Sequence, residues 1–93
     1  MNTKLFVQGI SGIIPGGISA EDFAVIISAD KNTAKKILSM LTQNGIGQTI
    51  GNLVNFEKGD KLKTALFAIK NGVPIEEVSR YIDWKDFEGL VAE

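Results

Sequence analysis

Residues 18–56, ISAEDFAVIISADKNTAKKILSMLTQNGIGQTIGNLVNF, constrain the fold of this chain more than any other segment. Two helical patterns meet there at a very short turn, and the hydrophobic period changes directly afterwards. Ser19 followed by Asp22 has the spacing of a capping box, with the Ser hydroxyl accepting a free amide and the carboxylate at the positive helix end. This predicts a helix over 20–28 whose buried side is Phe23, Ala24, Ile26 and Ile27, with the small Ala24 open to close approach by a neighbour. Asp30 predicts the cap of a second helix, over 31–44, which stops at Gly45, a residue suited to a left-handed cap. Beyond it, Ile46, Gln48 and Ile50, then Leu53, Asn55 and Phe56, form short β-prone segments around Gly51-Asn52.

The helix over 31–44 has two faces of different chemistry. Ala34, Ile37, Leu38 and Leu41 repeat at i, i+3, i+4 and i+7, an apolar stripe for the core. The other stripe is Asn32, Lys35, Lys36, Ser39 and Gln43, with Lys31 at its start. Lys suits phosphates, Asn and Gln suit base edges, and Ser suits either. The same residue types also suit a plain solvated face. What favours nucleic acid is position, because the second helix of such a hairpin is the one that docks on DNA. The pattern as a whole is that of a winged helix-turn-helix, with residues 46–56 as the wing. The wing tip carries no Arg, which argues against a cationic tip in a minor groove, so phosphate contact is expected from Gln48, Thr49, Asn52 and Lys58. The glycines at 45, 47 and 51 have no Lys-Ser/Thr pair or strand-loop-helix context, so no phosphate-binding loop is read there.

The flanks fit one domain over 1–93, mainly α with a small β-hairpin, about six helices and a two-stranded wing. Residues 1–58 hold the helix-turn-helix and wing, 59–83 additional helices, and 84–93 the start of a helix leading into a following domain. With 93 residues and 44% hydrophobic content, the chain can build a modest core. It has no Cys and no His, which excludes disulfides, thiolate or imidazole catalysis and zinc-finger ligation, and an intracellular, cytoplasmic compartment fits. The apolar stretch 5–14 is interrupted by Gln8 and is too short for a membrane span, so it is expected as a core helix. Thr3 can cap that helix; Phe6, Val7, Ile10, Ile13 and Ile14 follow at helical spacing, and Gly9 and Gly12 predict close approach by another element. Pro15-Gly16-Gly17 is expected to end it. Asp60 is expected to cap a helix over 61–70 with Leu62, Ala65, Leu66 and Ile69 buried. Pro74 is expected to open a short helix reaching Ile82, and Asp83 to cap a sixth starting at Trp84.

Net charge is −1, but it is unevenly spread. Residues 31–70 contain seven Lys against Glu57 and Asp60, a balance of +5, whereas residues 71–93 balance at −4. A basic surface facing phosphates and an acidic end facing elsewhere follow from this, as do two plain solvated surfaces.

Residues 56–93, FEKGDKLKTALFAIKNGVPIEEVSRYIDWKDFEGLVAE, resemble a segment of archaeal proteins that join an amino-terminal winged-helix region to a carboxyl-terminal restriction-endonuclease-like domain. Within it, Trp84-Lys85-Asp86-Phe87-Glu88-Gly89-Leu90-Val91-Ala92-Glu93 resembles the opening helix of Mrr-type nuclease domains, a D-F-E-x-L-V-A-E pattern. The resemblance implies that Glu88 corresponds to a carboxylate on that helix. It further implies an Asp and a Glu/Gln-x-Lys later in the fold, which hold Mg²⁺ and activate water. Those later motifs are not among these residues, so no catalytic set, metal site or cofactor is expected in the 93 residues. Glu76, Glu77, Asp83 and Asp86 are expected as caps and helix-dipole partners. The amphipathic residues Trp84, Phe87, Leu90 and Val91 have no helix cap after them, which suggests the front portion of a longer protein.

Two functional readings stand. In one the chain is a DNA-binding module in which Lys31, Lys35 and Lys36 meet phosphates while Asn32, Ser39 and Gln43 approach bases. About four phosphate contacts give a salt slope near −3.6, so useful affinity calls for a homodimer or an attached carboxyl-terminal nuclease-like domain. In the other the same fold serves protein–protein contacts or dimerisation, with Tyr81, Trp84 and Phe87 as a docking surface. Neither reading involves a membrane or a small-molecule substrate.

Overall fold

Helices and short strands alternate through the first half of the computed structural model, which describes residues 3–87. From the amino end, α1 (Thr3–Gly9) tightens into a 3₁₀ turn (Ile10–Gly12). There follow β1 (Gly16–Ile18), α2 (Ala20–Ile27), α3 (Lys31–Gln43), β2 (Gln48–Ile50) and β3 (Leu53–Phe56). α4 (Asp60–Lys70), the single-turn α5 (Ile75–Val78) and a second 3₁₀ turn (Trp84–Phe87) complete the described residues.

Local chemistry explains where the two central helices begin and end. Ser19 Oγ accepts the Asp22 amide at 3.2 Å and Asp30 Oδ1 accepts the Thr33 amide at 2.6 Å, each satisfying an N–H that has no partner inside the helix. α3 closes with Gly45 at φ +78° and Ile46 N–H donating to Leu41 O at 2.8 Å, the left-handed cap expected of a glycine there. α2 closes with the same hydrogen-bond pattern, Ala29 N–H to Ala24 O at 3.0 Å, but its left-handed residue is Ser28 at φ +57°. The turn between α2 and α3 is thus only Ser28, Ala29 and Asp30.

The sheet differs from expectation. It has three antiparallel strands in the order β1-β3-β2, not two. Gly16 and Gly17, expected only to end a helix, pair with Phe56 and Asn55, and Ile18 pairs with Val54. β2 pairs with β3 through Gln48–Asn55, Thr49–Val54 and Ile50–Leu53 around the two-residue turn Gly51-Asn52. Val54 and Phe56 face the core, while Leu53 and Asn55 face outward.

Two buried clusters share α1. Phe6 and Ile13 join Phe23, Ala24, Ala34, Ile37, Leu38, Leu41, Ile46, Val54 and Phe56, the core of the helical hairpin and sheet. Val7 and Ile10 belong instead to a second core with Leu62, Ala65, Ala68, Val73, Val78 and Ile82. The two glycines of this region lie where neighbours come closest. A Cβ at Gly9 would sit 2.7 Å from Ile37 Cγ2, and one at Gly12 would sit 2.6 Å from Phe23 Cε1. Close approach is what the glycines permit, as their spacing suggested.

Several burial assignments change. Ile26 is 45% exposed because α2 turns Phe23 and Ala24 inward, and at 100° per residue Ile26 then falls about 160° away from Ala24. Leu66 is likewise exposed, since α4 buries Leu62, Ala65 and Ala68. Ile14 is also exposed, because the helix has already ended before it. Asp60 is the first residue of α4 rather than its cap; its carboxylate is buried and accepts the Glu57 amide at 2.8 Å, with Lys63 Nζ at 3.8 Å. The chain folds with five α-helices among the described residues, where six were expected. At residue 84 a 3₁₀ turn replaces the expected α-helix start, and Asp83 Oδ1 accepts the Lys85 amide at 3.0 Å. Glu88 and the rest of the nuclease-like motif lie outside the described residues.

Candidate nucleic-acid interface

α3 divides into the two faces its sequence predicts. Ala34, Ile37, Leu38 and Leu41 are buried, whereas Lys31, Asn32, Lys35, Lys36, Ser39 and Gln43 are all exposed. The burial of one stripe fixes the rotation of the helix, and that rotation leaves the other stripe to solvent.

The β2–β3 hairpin stands against this exposed side. A shallow groove of about 240 Å³ runs between them, lined by Lys35, Ser39 and Thr42 of α3 and by Thr49 and Asn52 of the hairpin, over a floor that includes Ala20, Leu38 and Val54. Four of the residues expected to meet nucleic acid, Lys35, Ser39, Thr49 and Asn52, are thereby brought into one surface. Thr42 joins them as a hydroxyl donor or acceptor; it was not singled out by the α3 face pattern, because it falls at the boundary between the stripes. Its hydroxyl donates to Ser39 O at 3.0 Å. Ser39 Oγ in turn accepts from Gln43 Nε2 at 3.3 Å, linking Gln43 to the same group.

Other expected contacts are placed elsewhere. Gln48 shares a separate cavity of about 440 Å³ with Gly16, Gly45, Asn55, Asp60 and Lys63, because alternation along β2 turns it to the opposite side from Thr49. Lys58 lies in the exposed turn before α4, outside the groove. Lys31 Nζ is 3.1 Å from Glu21 Oε1, an exposed pair joining the ends of α2 and α3. Such surface pairs contribute at most about 1 kcal/mol, so Lys31 can exchange Glu21 for a phosphate at small cost.

The amino end of α3 is already partly satisfied. The Thr33 backbone amide, helped by the Thr33 hydroxyl and the Lys36 charge, holds the Asp30 carboxyl below its ordinary value of 3.8. A depressed folded-state pKa means that the cap stabilises at neutral pH and is lost as pH falls through that lowered value. Unfolding midpoints followed by circular dichroism are therefore expected to fall more steeply below about pH 4 in the native chain than in Asp30→Asn, which has no carboxylate to protonate.

Two aromatic residues of the competing reading are described, and they differ in burial. Trp84 is half-buried against the second core and its Nε1 donates to Ser79 Oγ at 2.8 Å, whereas Tyr81 is 38% exposed. The Phe87 side chain lies outside what the structure describes. Among the described residues no helix is long and apolar enough to cross a membrane. Comparison with protein-family models, with curated proteins and with solved structures finds no match to this chain.

Proposed function

We propose that the chain is a winged helix-turn-helix module that binds duplex DNA with α3 docked on the duplex and the β2–β3 hairpin as its wing. The element order α1-β1-α2-α3-β2-β3 and the strand order β1-β3-β2 support this reading. The observation that carries it is the shared groove, in which the exposed polar stripe of α3 and the hairpin offer Lys35, Ser39, Thr42, Thr49 and Asn52 to one ligand surface. Lys35 and Lys36 neutralise phosphates, with Lys31 recruited from its pair with Glu21, while Asn32, Ser39 and Gln43 approach base edges. The resemblance of residues 84–93 to the start of an Mrr-type nuclease domain extends the proposal. In a longer protein this module would position a cleaving domain on DNA, and affinity from so few phosphate contacts would then gain from the attachment.

The test is a titration of isotope-labelled protein with a random-sequence duplex at low and moderate salt, followed amide by amide. Shifts confined to residues 31–43 and 49–53 that fade as salt rises are expected. A titration without shifts at low salt, or with shifts centred on Tyr81 and its neighbours, would overturn the DNA reading in favour of a protein partner.

A further inference from the structure

The cavity of about 440 Å³ that takes in Gln48 holds the one charged side chain buried among the described residues. Asp60 is 3% exposed, and a buried carboxylate is costly unless both its oxygens find donors. The fold uses one of them: Oδ2 accepts the Glu57 amide at 2.8 Å where the chain turns into α4. Oδ1 makes no hydrogen bond among the described residues, and its ion-pair partner, Lys63 Nζ, stands at 3.8 Å, too far for one. Both residues line the cavity. Gln48 and Asn55, paired across β2 and β3, bring two exposed carboxamides to it, and neither is hydrogen-bonded among the described residues. Gly16 and Gly45 line it with backbone alone: beyond the flanking residues, no atom stands within 4 Å of where their Cβ would be. The size suits a small molecule, since ligand sites commonly span about 300–1,000 Å³.

We propose that this cavity binds a free α-amino acid as a zwitterion, its ammonium on Asp60 Oδ1 and its carboxylate on Lys63 Nζ. Charge selects the class. A cation alone at Oδ1 would sit beside Lys63, and an anion alone at Lys63 would sit beside Asp60, with the Glu57 carboxylate lining the same cavity. A zwitterion replaces one long ion pair by two short charge-assisted hydrogen bonds and adds no net charge. Lys63 can turn to it at small cost, because its side chain is 61% exposed, whereas Asp60 is fixed by the Glu57 amide. The carboxamides of Gln48 and Asn55 each offer donors and an acceptor, which an amide side chain matches. The cavity lies on the opposite side of β2 from the α3 groove, so this proposal stands apart from the DNA reading.

The test is a titration of isotope-labelled protein with L-glutamine and with L-asparagine, followed amide by amide. Saturable shifts confined to residues 16–17, 45–48 and 55–63 are expected, with a Kd on the order of 1 mM. L-Glutaminamide, which lacks the carboxylate, and N-acetyl-L-glutamine, which lacks the ammonium, are each expected to bind about tenfold more weakly. Asp60→Asn removes the buried charge at nearly constant volume and is expected to abolish the shifts. Lys63→Met, a change in a mostly exposed side chain, is expected to weaken L-glutamine about tenfold and to remove its advantage over L-glutaminamide, and it decides the matter should Asp60→Asn not fold. Absence of saturable shifts with either amino acid up to about 20 mM overturns the proposal. So does an equal Kd for L-glutamine and its two analogues, which would mean a cavity open to any small polar solute. A preference for L-glutamine over L-glutaminamide that survives Lys63→Met also overturns it.

Discussion

Reversing charge at both Lys35 and Lys36, as Lys35→Glu with Lys36→Glu, is expected to abolish measurable binding to duplex DNA at moderate salt and to leave the fold standing. Each neutralised phosphate contributes about 0.9 to the slope of log affinity against log salt, so loss of two contacts flattens the slope by about 1.8 before any repulsion is counted. Two new carboxylates on the exposed face of α3, one of them lining the groove, then add repulsion to that loss. Neither lysine makes a hydrogen bond or ion pair among the described residues, and both are exposed. Surface changes of this kind cost roughly 0.5 kcal/mol or less. Anisotropy titrations at several salt concentrations, paired with urea unfolding, measure both halves of the expectation. Retained binding would remove α3 from the interface. A loss of several kcal/mol in stability would instead mean that its two faces are exchanged.

Phe23→Ala is expected to cost about 3–5 kcal/mol in stability, the other large effect. Phe23 is fully buried at the point where α1, the first 3₁₀ turn, α2 and the sheet converge. Its ring lies 6.5 Å from that of Phe56 between centroids, and Gly9 and Gly12 come against its edge. Removing the ring opens a cavity that neither glycine can fill, since neither has a side chain. Domains of this size have a total stability of about 5–15 kcal/mol, so the variant should be largely unfolded under mild urea or heating. Gly12→Ala approaches the same site from the opposite direction, because its Cβ would meet the ring at 2.6 Å. Overpacking there is expected to cost about 1–3 kcal/mol. The two changes touch the same atoms, so the double variant should lose less than the sum of the single losses, and unfolding of all three variants measures that coupling. Additive losses would show that the ring and the glycine act independently.

How much of this was legible beforehand differs from element to element. α3 was legible in full, because its cap at Asp30, its stop at Gly45 and its two stripes each depend on residues within a few positions of one another. Ser19 and Asp30 accept the amides their spacing assigns them. α4 was legible as a helix but not in its rotation: both Leu66 and Ala68 fit an apolar stripe, and only contact with α1 decides that Ala68 is buried. Of the groove, Lys35 and Ser39 were visible as members of a polar stripe. Their meeting with Thr49 and Asn52 was not, because the hairpin's approach to α3 is set by the packing of Val54 and Phe56 beneath it.

Local sequence is sufficient for the helices because helix hydrogen bonds, caps and side-chain faces are satisfied within one segment. It is insufficient wherever a segment is completed by another. β1 is the clearest case, since two glycines have no side chains to alternate and become a strand only when β3 supplies their hydrogen-bond partners. The division of α1 between two cores and the separation of Gln48 from Thr49 arise in the same way, from what each residue meets in space. So does the exposure of Ile50 and Leu53: β-prone and apolar in sequence, they stand in solvent because the core lies under the other face of their strands.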